Sequence, residues 1–152
     1  MSHATSPDFV QLDELLTANE RALRHWVRAF VQERFIPMVV QHHRARTMAL
    51  ELASGLGEVG AFGPRISGYG CPALGNVAAG LIMQELERGD SGRRTFAPVQ
   101  ESLAMMAINL FGSEEQKTRW LLRMAKGEKL GAFALIEPEH GSNPAGMDVV
   151  RT

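Results

Sequence analysis

The residues best suited to chemistry lie near the end of the chain, in the run Glu137-Pro138-Glu139-His140-Gly141-Ser142-Asn143-Pro144. Gly141 and Ser142 can turn backbone N–H groups and a hydroxyl to one side, a concavity that suits a phosphate or a flavin edge. The same residue types also make an ordinary hairpin turn, and loop chemistry alone favours that reading. His140 has neither a cysteine nor a second histidine nearby, so it reads as a solvated loop histidine and no metal site is expected. Arg94 follows Asp90-Ser91-Gly92-Arg93 and could clamp a carboxylate with its guanidinium fork. A surface pairing with Asp90 or Glu87 is the plainer reading. Glu85 and Glu87 stand two apart on a helix, point in different directions, and make no paired acid/base site. The adjacent His42 and His43 diverge in the same way and are expected at the surface. Cys71 has no histidine beside it to lower its pKa, and takes no catalytic role. Leu103, Met105, Met106 and Leu110 read as core. These residues alone define no reaction.

The elements that must position them are mostly helical. Thr17-Ala18-Asn19-Glu20 has the pattern of a capping box, followed by Leu23, Trp26, Val27, Phe30 and Val31 at helical spacing. Pro37 is expected to end this helix. Further helices are predicted from about Met38 to Arg46 and from Thr47 to about Gly57. Seven of the 15 glycines then fall from Gly55 to Gly75, with Pro64 and Pro72, which predicts a structured, turn-rich connector. Asn76 is placed to cap a helix carrying Val77, Leu81, Ile82, Glu85 and Leu86. Gly89-Asp90-Ser91-Gly92 breaks or bends it, and Pro98 is expected early in the next helix. Ser113-Glu114-Glu115-Gln116 is a second capping box, and Gly127 a C-terminal stop. The run from Leu130 to Ile136 is short and apolar and predicts a strand, with a second beginning at Met147. The fold class expected is mainly α: a flexible stretch over 1–10, a helical domain over 11–128, and the opening strands of a truncated β domain over 129–152.

Composition narrows the function classes. The 152 residues carry 16 basic and 17 acidic side chains, a net charge of −1. No clustered positive field is available to hold a nucleic acid. A single cysteine excludes an internal disulfide framework and fits a reducing compartment. No apolar run is long enough to span a membrane, and the first residues carry no leader pattern. A cytoplasmic location is therefore expected.

Four stretches together resemble the acyl-CoA dehydrogenases: Leu86 to Gly92, Phe111-Gly112-Ser113-Glu114-Glu115-Gln116-Lys117, Gly127-Glu128, and Phe133 to Pro144. Within that family the chain is most similar to glutaryl-CoA dehydrogenase, through Gly63-Pro64, Gly68-Tyr69-Gly70-Cys71, the Asp90-Ser91-Gly92 turn with Arg94, and Val99-Gln100. The resemblance runs from about Leu12 to the last residue. It implies FAD as cofactor, an acyl-CoA substrate, and α,β-dehydrogenation of the thioester, with decarboxylation if the substrate is glutaryl-CoA. It matches Phe133, Leu135, Ile136, Gly141 and Ser142 to the flavin-lining segment, with Ser142 also near the CoA chain. It matches Arg94 to the arginine that binds the distal carboxylate and Glu87 to the acid beside it.

Four positions depart from the family pattern. Ile136 stands where a flavin-bonding threonine is usual, Asn143 replaces an aspartate, Pro98 a serine, and Arg93 an aromatic. The family's catalytic glutamate belongs to a C-terminal domain, so no catalytic residue is expected among these 152, and the chain alone is expected to be inactive. The alternatives are a non-catalytic truncated remnant or a helical interaction module that binds related dehydrogenase subunits. A homo- or hetero-oligomer with such subunits is the partner expectation.

Overall fold

A computed structural model describes Phe9 and residues 11–148, apart from the Arg93 side chain. The chain runs through α1 (Leu12–Leu15), α2 (Ala18–Phe30), α3 (Ile36–Ala45), α4 (Ala53–Glu58), α5 (Gly75–Gly89), α6 (Ser91–Pro98), α7 (Met106–Phe111) and α8 (Glu114–Ala125). The expectation for residues 1–10 falls almost wholly outside the described residues, as does the second strand beyond Asp148.

Both capping boxes form. The Glu20 amide donates to Thr17 Oγ1 at 3.3 Å, and the Thr17 amide donates to Glu20 Oε2 at 2.8 Å. Ser113 and Gln116 repeat the arrangement at 3.3 and 2.9 Å. Each box satisfies two amides that the helix start leaves without partners.

Pro37 does not end a helix. A π-helical segment, Val31–Phe35, joins α2 to α3, and Pro37 sits in the first turn of α3. The wider π turn relieves the clash between the ring and the carbonyl four residues earlier. Pro98 likewise lies seven residues into its helix, not early. It is followed by a second π segment, Val99–Met105, that runs into α7. Asn76 does not cap α5, which begins one residue sooner at Gly75 with no side-chain cap.

The core is built where α2 packs on α5 and α5 on α6. Val27, Phe30, Val31 and Phe35 meet Ile82 and Leu86 there. Gly89 permits the close approach: a Cβ on it would lie 2.8 Å from both Phe35 Cδ1 and Val31 Cγ1. The glycine-rich connector is structured, as expected. Its first residues belong to α4, and the rest buries Phe62 and Ile66. Gly127, at φ +72°, stops α8.

No strand forms among the described residues. The stretch expected as a strand, Leu130 to Ile136, is a ribbon without regular secondary structure. A strand requires a neighbour to take its N–H and C=O groups, and none of the described residues offers one.

Candidate functional site

Two groups of candidate residues lie on separate elements. The first is at the junction of α5 and α6. Asp90, in extended conformation, separates the helices, and its carbonyl accepts from the Arg94 amide at 2.9 Å. That turn brings Arg94 back over Glu87. Arg94 Nε donates to Glu87 Oε2 at 2.6 Å, and Ser91 Oγ donates to the other carboxylate oxygen. These hydrogen bonds, Ser91 first and then Arg94, hold the Glu87 carboxyl below the usual carboxylate range. The two Nη groups of Arg94 have no partner among the described residues, and the side chain is 38% exposed.

A groove of about 420 Å³ opens between α5 and the helical run after α6, lined by Asn76, Gly80, Met83, Pro98, Glu101 and Arg65. Glu87 continues the α5 stripe of Asn76, Gly80 and Met83, since residues four apart share a helix face. Neither Glu87 nor Arg94 is part of the groove's lining; Glu87 stands one helical turn beyond Met83.

The second group lies on the ribbon. Phe133, Leu135 and Ile136 are all exposed, Ile136 most at 78%. The backbone groups of 132–136 have no hydrogen-bond partner among the described residues. Glu137 and His140 then close a turn, each amide donating to the other's carbonyl, at 3.4 and 3.1 Å. Gly141 and Ser142 follow it, exposed, and a Cβ on Gly141 would meet nothing within 4 Å. Beneath the ribbon a second groove, of about 370 Å³, is lined by Ala104, Ala107, Ile108, Trp120, Met124 and Phe133.

Among the described residues no three His, Cys, Asp or Glu side chains are placed to hold a metal ion. No helix among them is long and apolar enough to cross a membrane. His140 faces Asp148 at 3.7 Å. His43 is exposed as expected, but His42 is not: its side chain is 13% exposed, with Thr47 Oγ1 at 2.9 Å and Glu51 at 3.3 Å.

Three buried polar side chains escaped the sequence reading. Glu85, 1% exposed, accepts from Arg24, Arg28 and Arg88. Burial pushes its carboxyl up, but the hydrogen bonds, led by that of Arg28, outweigh burial and hold it below the ordinary value. Glu101 takes a bidentate pair from Arg65 at 2.8 Å on both oxygens. Gln100 is fully buried and bonds to the backbone of Met124, in the last turn of α8, and of Lys129 and Gly131 just after it. The available signal was a polar residue standing in an apolar helical stripe, as Glu85 does between Ile82 and Leu86.

The family model for the acyl-CoA dehydrogenase N-terminal domain matches residues 17–128. This chain belongs to the acyl-CoA dehydrogenase family. A glutaryl-CoA dehydrogenase from Mycobacterium smegmatis in complex with FADH2 superposes with a TM-score of 0.86. It is 47% identical, over 90% of this chain and 36% of that one. A glutaryl-coenzyme A dehydrogenase–glutaryl-CoA complex is similar at a TM-score of 0.81 and 28% identity, over 87% and 34% of the two chains. The short-chain-specific acyl-CoA dehydrogenase of Clostridium acetobutylicum is 30% identical over 91% of this chain and 37% of its own length. The chain thus spans about a third of the length of the acyl-CoA dehydrogenases it matches.

Proposed function

We propose that this chain forms the helical domain (11–128) and the opening of the next domain (129–152) of an FAD-dependent acyl-CoA dehydrogenase whose acyl substrate carries a distal carboxylate, as glutaryl-CoA does. The observation that carries this reading is the open edge of Arg94. Among the described residues Glu87 occupies Nε alone, at 2.6 Å, which leaves both Nη groups for a bidentate carboxylate. The 47% identity to the M. smegmatis glutaryl-CoA dehydrogenase supports the same branch. Glu87 stays ionised and keeps the guanidinium oriented. The groove beside the pair would take the acyl chain.

The ribbon fits a flat ring with polar edges. Phe133, Leu135 and Ile136 offer an exposed apolar wall, the backbone of 132–136 offers N–H and C=O groups unpaired among the described residues, and Gly141 leaves room for close approach. Ser142 adds a hydroxyl. Ile136 can add packing but no hydrogen bond. FAD, when bound, would accept the hydride that leaves the acyl chain. No general base is assigned to the residues of this chain. Exposed Leu110 and Phe111, at 62% and 86%, support assembly with like or related subunits.

The test is anaerobic titration of the FAD-loaded, full-length protein with glutaryl-CoA and with butyryl-CoA. The expected result is bleaching of the flavin band by glutaryl-CoA at lower concentration. A preference for butyryl-CoA overturns the substrate reading, and no bleaching by either ester overturns the activity.

A further inference from the structure

We propose that Gln100 is a positioning residue, whose side-chain amide fixes the flavin-facing ribbon of residues 132–136 against the helical run that carries Arg94. The inference rests on the flavin reading above and names the group that sets its geometry.

Gln100 lies six residues beyond Arg94, inside the π segment Val99–Met105, and is 0% exposed. Its Nε2 donates to the carbonyl oxygens of Met124, at 3.2 Å, and Lys129, at 2.8 Å. Its Oε1 accepts from the Gly131 amide at 2.7 Å. Both donors and the acceptor of one amide are thereby engaged. A carboxylate there would turn a negative oxygen onto two carbonyls, and an apolar side chain would strip the Lys129 carbonyl and the Gly131 amide of their bonds, while the Met124 carbonyl keeps the Gly127 amide at 3.0 Å. The π turn contributes as well, because it brings the consecutive residues Gln100 and Glu101 both into the interior, at 0% and 2% exposure.

Gly131 is the matching half of the clamp. A Cβ on it would lie 2.5 Å from Ala104 Cβ and 2.8 Å from Met124 Cε, so only glycine lets the backbone come down to Gln100 without displacing a neighbour. Two residues later the ribbon presents Phe133. From Ala132 to Ile136 no other backbone hydrogen bond holds it among the described residues. The placement of Phe133, Leu135 and Ile136 is therefore inherited from the anchor at its root. Slack there would be carried into the side chains that follow it.

The experiment uses the full-length protein. Gln100→Met keeps nearly the same volume and removes all three hydrogen bonds. The expected result is a retained helical spectrum, FAD binding weaker on the order of tenfold, and a shifted visible flavin band. Gln100→Glu tests the chemistry of the clamp. At neutral pH it should bind FAD as weakly as the Met variant. At acidic pH the protonated carboxyl can donate to the Lys129 carbonyl and accept from Gly131, and binding should recover toward that of the unmodified protein at the same pH. A Met variant that melts earlier but keeps the FAD dissociation constant and the flavin band overturns the proposal, because Gln100 then supports only the fold. A Glu variant whose FAD binding does not recover with acid also overturns it. If the unmodified protein binds no FAD, the flavin reading falls and this inference with it. If the unmodified and Met proteins bind FAD equally, this inference alone falls.

Discussion

Glu85 and Arg28 stand 57 residues apart in the chain and share two hydrogen bonds, Nε to Oε2 at 3.0 Å and Nη2 to Oε1 at 2.7 Å. Arg24 and Arg88 add a bond each, at 3.2 and 3.0 Å. One carboxylate of 1% exposure thus ties two positions one turn apart on α2 to its own helix, α5. Glu85→Ala would leave three guanidinium groups facing an apolar gap. The expected loss is about 3 kcal/mol, at the lower end for breaking a buried pair, because partial exposure screens part of the cost. Arg28 and Arg88 keep 34% and 40% of their side chains exposed. Urea unfolding checks it, and a loss under about 0.5 kcal/mol, the range of an ordinary surface change, would show that Glu85 is not a hub.

The same carboxylate sets a pH dependence. Arg28, Arg24 and Arg88 hold the folded carboxyl below the ordinary 4.5 despite burial. The unfolded chain therefore takes up the proton first as pH falls. Glu85 contributes its full stabilisation above pH 4.5 and loses it as pH drops from 4.5 through the lowered folded value. Stability of Glu85→Gln, measured by urea midpoint across that window, should fall less steeply than that of the unmodified protein. Parallel curves would remove Glu85 from the acid response.

The legible part of the fold was local. Thr17 with Glu20, and Ser113 with Gln116, are motifs four residues long, and both form as read. Gly127 stops α8 for the same reason. Pro37 and Pro98 misled because each is accommodated by a π segment, which residue propensities do not announce. The ribbon misled because strand formation depends on a partner outside the segment. At the site, Arg94 and Glu87 are seven residues apart, and their pairing was one of the readings open from sequence. The contacts of Gln100 reach 24 to 31 residues along the chain, and no local pattern marks them.

The two capping boxes should be worth similar and independent amounts. Thr17→Ala and Ser113→Ala should each cost about 1 kcal/mol, since each removes the hydroxyl that accepts from the Glu20 or the Gln116 amide at a helix start. The caps lie on α2 and α8 and share no hydrogen-bond partner. The double variant should lose the sum within about 0.5 kcal/mol. Urea denaturation of the three variants checks both the size and the additivity.

Arg94 and Glu87 should affect substrate binding in opposite directions. Arg94→Gln removes the bidentate donor, and the KM for glutaryl-CoA should rise on the order of tenfold to a hundredfold. Butyryl-CoA, lacking the distal carboxylate, should change little. Glu87→Gln removes a competing negative charge 2.6 Å from Arg94 Nε. Its KM for glutaryl-CoA should fall, or stay level if the lost orientation of Arg94 offsets the gain. A rise as large as that of Arg94→Gln would instead mark Glu87 as essential to the site.

Ile136 separates flavin binding from folding. Its side chain is 78% exposed, and residues 132–136 make no backbone hydrogen bonds among the described residues. Ile136→Thr should therefore change the urea midpoint of the FAD-free protein by no more than a surface substitution does, within about 0.5 kcal/mol. With FAD present it supplies a hydroxyl on a ribbon that otherwise offers only apolar side chains at 133, 135 and 136. One neutral hydrogen bond of about 1 kcal/mol should tighten FAD binding roughly fivefold. Flavin fluorescence titration of the two proteins decides it. Equal affinities would mean that position 136 faces away from the ring, and would turn the flavin-facing side of the ribbon toward Phe133 and Leu135.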